Sequence, residues 1–332
     1  VRRQHMAVTT KDLARICNVS RTTITRALHG TGRINEETKQ RILTTAKELG
    51  YEPDLMARSL AQGASKTVGA VLCDLQGTYF PSMIEAMEHV GREKGYLLNI
   101  TLHDNNRKQE ENIIRQLAGY RIDGVILNAA SQEIQDYEYL KKYHFPIVVI
   151  GGAKLGDLPY VGNDEYHAAY DAVNYIVDKG YKKICFVFPG LKNKKPRSFG
   201  GHKERLRGAE KAAIERNVLF ESIGTTDYVQ KVLERVKRSK DKIAFLCSGD
   251  IYAGYVMMTM QKYGYDVGKD YGVMGFDHLE LMQMFPVRLA TLENAPEKVG
   301  EKALRMLLDL IEGKNVEKEL YIPYKIVDGD TL

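Results

Sequence analysis

Apolar residues recur along this chain in two rhythms, and the change comes near residue 66. Up to that point the spacing is helical. "TTKDLARICNV" places Leu13, Ile16 and Cys17 on one face, with Thr9 or Thr10 positioned to cap it. After a turn at Asn18 and Val19, "SRTTITRALHG" opens on Ser20 as a cap, turns Ile24, Ala27 and Leu28 inward and stops at Gly30. "INEETKQRILTTAKELG" starts at Asn35, presents Ile42, Ala46 and Leu49 inward and ends at Gly50. A fourth short pattern, "PDLMARSLAQG", has Pro53 and Asp54 at its start and Gly63 at its end, and "ASKT" reads as a linker.

From Thr67 the rhythm becomes strand, helix, strand. The apolar runs "TVGAVLCD", "YLLNITLHD", "DGVILNAA" and "PIVVIGG" alternate with amphipathic segments carrying Ile84/Met87 and Ile113/Ile114/Leu117. After "PYVGND" the alternation resumes through Ala169/Val173/Ile176, "KKICFVFPG", Leu206/Ala209/Ala213, "DKIAFLCSGD", Val256/Met260 and "YGVMGFD". Such alternation implies right-handed crossovers and parallel sheets buried on both faces. The change of pace near residue 162 predicts two similar α/β lobes. A late helix, "PEKVGEKALRMLLDLIEG", and a final strand, "LYIPYKIVD", are expected to return across the lobe boundary.

Composition sharpens this picture in two places. At 44% hydrophobic and 27% charged over 332 residues, the chain has core material for two or three folding units. Its net charge of +5 is unevenly spread: residues 1–62 hold eleven Lys/Arg against six Asp/Glu, so the whole excess lies there. That asymmetry predicts a small module meeting a polyanion, joined to a larger neutral one. Cys17, Cys73, Cys185 and Cys247 have neither metal nor redox spacing. Together with the lack of a signal-peptide pattern or an apolar run of membrane length, they give the expectation of reduced thiols, no membrane association and a cytoplasmic location.

The second helical segment now raises a question of chemistry. Thr22, Thr23 and Thr25 are weaker helix formers than the residues usual on a solvated face. With Ile24, Ala27 and Leu28 inward, Arg21, Thr22, Thr25, Arg26 and His29 share the outer face. A helix, a short turn and a second helix form a helix-turn-helix, whose second helix enters the major groove. Arginine's fork fits guanine O6/N7, and threonine offers a hydroxyl and a methyl. A merely solvated polar face satisfies the same spacing; the local charge excess favours DNA.

The chain resembles the lac-repressor/galactose-repressor family (the LacI/GalR family). The matching stretches run from "TTKDLARICNVSRTTITRAL" and "ARSL" through "VGAVLCDLQGTYFPSMIEAME" and "YVGNDEYHAAYDAV" to "RLRGAEKAA", "SGDIYAGYVM" and "GVMGFDHLEL". They cover nearly the whole chain. The resemblance implies an N-terminal all-α helix-turn-helix headpiece plus a two-lobe, periplasmic-binding-protein-like α/β body with parallel sheets. The implied division is residues 1–52 for DNA binding, 53–66 for a hinge helix and linker, and 67–332 for effector binding and dimerisation. Lobe 1 is placed at 67–162 plus 292–319, and lobe 2 at 163–291 plus 320–332.

The resemblance also assigns residues. Arg21, Thr22 and Arg26 would choose the operator sequence, Thr10, Thr25 and His29 joining them at the DNA. In the hinge, Leu60 would wedge into the minor groove, with Ala57 beside it and Arg58 near the backbone. Asp54 departs from the family's more usual Asn. In the body, ligands bind beyond the carboxyl ends of strands, where Asp74, Asp250 and Asp277 fall. The resemblance points most firmly to Asp277 of "GFD" and Arg205 of "RLRG" as effector contacts, suited to paired hydroxyls of a sugar. Tyr79, Phe80, Asn128, Asp164 and Asp250 are further candidates. Glu165 stands where the family often has Asn.

The expected partners are a double-stranded, pseudo-palindromic DNA operator, a small sugar-like effector and a second copy of the chain. No leucine heptad follows "VDGDTL", so a dimer rather than a tetramer is expected. The sequence leaves open a protein co-regulator, and calls for no cofactor or metal. An alternative is a solute-binding protein of the same two-lobe fold, which would have no use for residues 1–62. An enzyme is disfavoured: there is no P-loop or "GxSxG", "IGGAKLG" has the wrong glycine spacing, and His103, His144, His202 and His278 are scattered. The run "LKNKKPRSFGGHK", with Lys192, Lys194, Lys195, Arg197 and Lys203, reads either as a solvated loop or as an anion site for a phosphorylated effector.

Overall fold

Three capped helices account for the first part of the chain. The computed structural model describes residues 8–52, 63–75, 77–131, 133–152, 154–190 and 200–332, and contacts divide the chain into two units, residues 1–65 and 66–332. In the first unit, helix α1 (Thr10–Ile16) is capped by Thr9, whose hydroxyl accepts from the Asp12 N–H while the Asp12 carboxylate accepts from the Thr9 N–H. Helix α2 (Arg21–His29) is capped by Ser20, which accepts from the Thr23 N–H at 3.1 Å, and closes at Gly30 with φ +65°. Helix α3 (Glu36–Glu48) is capped by Asn35. Leu13, Ile24 and Ile42 are fully buried where the three helices meet, with Cys17, Ala27 and Ala46 around them.

Two expected core positions are corrected. Ile16 is 52% exposed and Leu49 39% exposed. On a seven-residue helix the Leu13–Cys17 pair, one turn apart, already covers the inner line, and Leu49 falls at the cap of α3 rather than within it.

The second unit is a doubly wound α/β body in two lobes. Lobe 1 runs β1 (Thr67–Leu72), α4 (Tyr79–Lys94), β2 (Leu97–Leu102), α5 (Arg107–Gly119), β3 (Gly124–Leu127), β4 (Ile147–Ile150) and β5 (Tyr160–Gly162). Lobe 2 runs α6 (Glu165–Asp178), β6 (Lys183–Pro189), α7 (Gly200–Glu215), β7 (Leu219–Thr225), α8 (Tyr228–Arg238), β8 (Ala244–Cys247), α9 (Asp250–Lys262), β9 (Gly272–Met274) and β10 (Thr291–Glu293). The chain returns to lobe 1 as α10 (Pro296–Ile311) and β11 (Glu319–Tyr321), then ends in lobe 2 as β12 (Lys325–Val327). The first sheet is parallel with order β11-β5-β4-β3-β1-β2; the second is parallel with order β7-β6-β8-β9. Their inner strands β1, β3, β4, β6 and β8 are buried on both faces, which is why these read as continuous apolar runs. Ile184 and Phe186 of β6 pack to one side, Cys185 and Val187 to the other.

The lobe boundaries differ from expectation by two residues. Leu292 and Glu293 pair with Ile326 and Lys325 and so belong to lobe 2, while Leu320 and Tyr321 pair with Val161 and Gly162 in lobe 1. "LYIPYKIVD" is two strands on two lobes, split at Pro323, which has no N–H to give a ladder. Lys66, placed in the linker by sequence, already belongs to the body, its N–H donating to Asp123 at 2.9 Å. The three passages between lobes are tied by one buried side chain: Asn163 Nδ2 donates to the carbonyls of Asn294 at 3.0 Å and Ile322 at 2.9 Å. This stitch fixes where the two lobes face each other.

Candidate effector cleft and nucleic-acid interface

On α2 the burial pattern separates packing from display. Ile24 and Ala27 are buried, whereas Arg21, Thr22, Thr25 and Arg26 are exposed. The Thr25 hydroxyl donates back to the Arg21 carbonyl at 3.0 Å, which commits its proton and leaves its lone pairs and methyl outward. Thr10 is the half-buried first residue of α1, and Thr9 rather than Thr10 is the cap. The turn between α1 and α2 is held by Arg41, which donates to the Cys17 carbonyl at 3.3 Å. The His29 side chain, and the segment with Asp54, Ala57, Arg58 and Leu60, lie outside the described residues. So do Lys192, Lys194, Lys195 and Arg197 of the basic run, while Lys203 is an exposed residue of α7.

In the body, strands of both lobes end at one cavity of about 250 Å³. Lobe 1 contributes Cys73 and Asp74 after β1, Tyr79 and Phe80 at the start of α4, and Asn128 after β3. Lobe 2 contributes Glu165 from the start of α6, Arg205 from α7, Ser248 after β8 and Asp277 after β9. Parallel strands bring these together because their carboxyl ends all point the same way and the loops there are free to diverge.

Arg205 is the hub of this wall. It is 6% exposed, lies 4.2 Å from the centre of the Phe276 ring, and donates from Nε to Glu165 at 2.5 Å and from Nη1 to the Ser248 carbonyl at 2.6 Å. Its Nη2 stands 4.0 Å from Asp277 Oδ1, which also accepts from Asn294 Nδ2 at 3.0 Å. Burial opposes the charge on Arg205, but Glu165 and Asp277 outweigh it and hold the guanidinium protonated. Burial pushes the Asp277 carboxyl above its ordinary range, Arg205 and the Asn294 hydrogen bond pulling the other way. Burial, with Arg205 nearby, drives His202 down to about 3, so that imidazole is neutral. Burial, followed by Asp74, pushes the Cys73 thiol up to about 12.

Asp277 also has an unusual backbone, φ +102°, a region that costs a non-glycine residue free energy and is characteristic of functional sites. The Gly275 before it is required by space, since a Cβ there would lie 2.0 Å from Asp250 Oδ1.

Two sequence candidates do not reach the cavity. Asp250 is fully buried beneath the Asp277 loop, accepting from the Leu279 N–H at 2.7 Å and the Thr291 hydroxyl at 2.5 Å. It therefore braces the loop, and burial followed by Asp277 pushes its carboxyl up to about 8. Asp164 caps α6, accepting from the His167 backbone N–H at 3.0 Å and from His167 Nδ1 at 2.7 Å, and it lines a separate open depression beside Tyr321. The cap geometry turns its carboxylate away from the cleft. Tyr79, Phe80, Asn128, Arg205 and Asp277 are brought together as expected. Sequence reasoning missed Tyr252 and the Ser248 carbonyl; a backbone acceptor leaves no trace in residue type, while Tyr252 sits in "SGDIY", two residues past a singled-out aspartate.

A three-helix module displaying Arg and Thr, on a chain with a two-lobe body that closes around a cleft, defines a DNA-binding regulator under small-molecule control. The family described as "Bacterial regulatory proteins, lacI family" matches residues 9–54, and that described as "Periplasmic binding proteins and sugar binding domain of LacI family" matches residues 65–328. The chain belongs to the LacI family. Among its relatives, the HTH-type transcriptional repressor PurR of Serratia proteamaculans is 31% identical over 322 residues, covering 94% of this chain and 93% of the relative. The HTH-type transcriptional regulator RegA of Clostridium acetobutylicum is 30% identical over 333 residues, covering 98% and 99%. The fold matches a lac repressor dimer bound to operator and the anti-inducer ONPF, with a TM-score of 0.88, 20% identity, and 98% and 99% of the two chains covered. It also matches a complex of the transcriptional regulator CelR with cellobiose, with a TM-score of 0.69, 20% identity and the same coverage. Among the described residues no helix is long and apolar enough to cross a membrane.

Proposed function

We propose that this regulator is a cytoplasmic repressor that reads a pseudo-palindromic operator as a homodimer and answers to a sugar-like effector held in the body cleft. Arg21, Thr22 and Arg26 are assigned to base edges, and Thr10 and Thr25 to neighbouring phosphates or thymine methyls. Tyr79, Phe80, Asn128, Arg205 and Asp277 are assigned to the effector, Asp250 supporting the last of them. The observation that carries the effector assignment is Arg205 beside Asp277 on the cavity wall, Nη2 and Oδ1 4.0 Å apart, a donor and an acceptor set for adjacent hydroxyls. The name of the CelR–cellobiose complex supports a sugar in such a cleft.

Self-association has its own support. The edge strand β2 exposes Leu97 (69%) and Ile100 (42%), and lobe 2 exposes Tyr255 (55%) and Met284 (80%). Apolar side chains on an unpaired strand edge are ordinarily covered by a partner.

The effector assignment is tested by thermal-shift screening of the full chain against sugars, sugar derivatives and nucleobases, with Asp277→Ala as control. A stabilising ligand whose effect vanishes in the variant is expected; stabilisation that survives Asp277→Ala removes the cleft from the account.

A further inference from the structure

Asn128 reaches the cleft on a segment whose backbone is held by side chains rather than by the sheet. At the end of β3 its N–H still donates to the Val71 carbonyl at 2.9 Å. Beyond that point the chain leaves the sheet, with Asn128 and Ala129 on the cavity wall and Ala130 and Ser131 buried. Buried N–H groups off the ladder need other acceptors. Ala130 finds one in Glu110 Oε2 at 2.7 Å, and Ser131 one in the Tyr137 hydroxyl at 2.8 Å. That hydroxyl donates back to the Ser131 carbonyl at 3.2 Å. From the side of β2, His103 Nε2 donates to the Asn128 carbonyl at 2.8 Å.

Glu110 is an unusual residue for this position. It is fully buried on α5, one helix turn from Arg107, whose Nη1 stands 3.5 Å from its Oε1. The Arg107 guanidinium in turn lies 4.8 Å and 4.4 Å from the centres of the Tyr137 and Tyr139 rings. Burial pushes the Glu110 carboxyl up to about 7, the Ala130 N–H and Arg107 pulling the other way. Taking a carboxylate out of water is unfavourable, and an apolar side chain of the same size would fill the space without that penalty. What an apolar side chain could not do is accept from Ala130. Its absence would strand a buried donor two residues from Asn128.

Resting on the assignment of the cleft to the effector, we propose that Glu110 is a positioning residue for that site. It does not line the cavity. Through Ala130 it holds the segment 128–131 against α5, and so presents Asn128 to a ligand that it never touches. Effector binding is thereby tied to α5 and to the helical turn Ile134–Lys142, which supplies Tyr137.

Two substitutions separate the acceptor from the bulk. Glu110→Leu keeps the volume and removes the acceptor, whereas Glu110→Gln keeps an acceptor for Ala130 and removes the charge. In amide hydrogen exchange on the ligand-free full chain, residues 128–131 should exchange about tenfold faster in Glu110→Leu, with β1 and β4 unchanged. Glu110→Gln should stay within about threefold of wild type. Calorimetric titration with D-glucose, D-galactose, D-ribose and cellobiose then reads the cleft. A sugar whose binding is lost in Asp277→Ala should bind about tenfold more weakly to Glu110→Leu and recover in Glu110→Gln. Tyr137→Phe, which removes only the hydroxyl that holds Ser131, should act in the same direction by a smaller factor, and decides the matter where Glu110→Leu does not fold. Faster exchange spread over the whole body, Asp277-dependent binding unchanged in Glu110→Leu and Tyr137→Phe, or a Gln variant no better than the Leu variant overturns the positioning role and leaves the cleft reading standing. Binding indifferent to Asp277→Ala, or no binding by any of these sugars, removes the cleft reading and this inference with it.

Discussion

Replacing Arg205 by Ala should destabilise the body far more than an average substitution. The Arg205 and Glu165 side chains are only 8% and 7% exposed, so solvent screens neither. Taking away the guanidinium leaves Glu165 and Asp277 facing each other and orphans the Ser248 carbonyl. Removing one partner of a buried ion pair costs about 3–5 kcal/mol. At roughly 2–4 °C per kcal/mol for a unit approaching this size, the thermal midpoint should fall by on the order of 10 °C. The loss should also depend on pH. Arg205 lowers the Asp277 carboxyl in the folded protein, so its contribution is present where Asp277 is ionised and fades as pH falls and that group is protonated. The measurement is thermal unfolding of the full chain at pH 7.5 and pH 4.5, for wild type, Arg205→Ala and Arg205→Ala/Glu165→Gln. The double variant should recover a large part of the loss, because it removes one stranded carboxylate. A single variant within 1 °C of wild type at pH 7.5, or a deficit that grows toward acid, would refute this account of the cleft wall.

Three further outcomes follow from other parts of the molecule. Asp250→Asn keeps an acceptor for the Leu279 N–H and a donor for Thr291. Because the Asp250 carboxyl is pushed up to about 8 in the fold, wild-type stability should decline as pH rises from about 4 to about 8, and the variant should flatten that slope in pH-dependent urea unfolding. Asn163→Ala strips a donor pair from two buried carbonyls, so a loss of about 1–3 kcal/mol is expected from denaturant titration, and a neutral result would show that the three passages need no stitch. In the headpiece, Ile24→Ala, at a fully buried position, should cost about 2–5 kcal/mol, whereas Ile16→Ala, at a position 52% exposed, should stay within about 0.5 kcal/mol.

The parts of the fold legible in the sequence were those buried on all sides. Strands such as β1, β3, β4, β6 and β8 are covered on both faces and read as unbroken apolar runs. The edge strand β7 does not: "LFESIGT" buries only Ile223 fully, and neither it nor α8 was expected. Its pairing with β6 along seven positions comes from backbone hydrogen bonds, to which residue type is nearly blind. The cleft was legible where the family resemblance carried residues over, as with Arg205 of "RLRG" and Asp277 of "GFD". It failed where a carboxylate after a strand serves a second purpose. Asp250 and Asp164 were plausible by position, but one is consumed by bracing a loop and the other by capping a helix. Glu165 stood out as a departure, and its meaning appeared only with the 2.5 Å contact to Arg205.

The central claim is that α2 reads DNA, and its most direct test is the salt dependence of binding by the full chain to the genomic fragment it enriches most strongly. With wild type and Arg26→Ala measured side by side, log K should fall linearly with log salt, with a slope of roughly −0.9 per phosphate contacted. Arg26→Ala should lose about 1–3 kcal/mol on that fragment and relax base choice at one or two half-site positions. No enriched fragment, a flat salt response, or an unchanged binding-site pattern in the variant would contradict the claim.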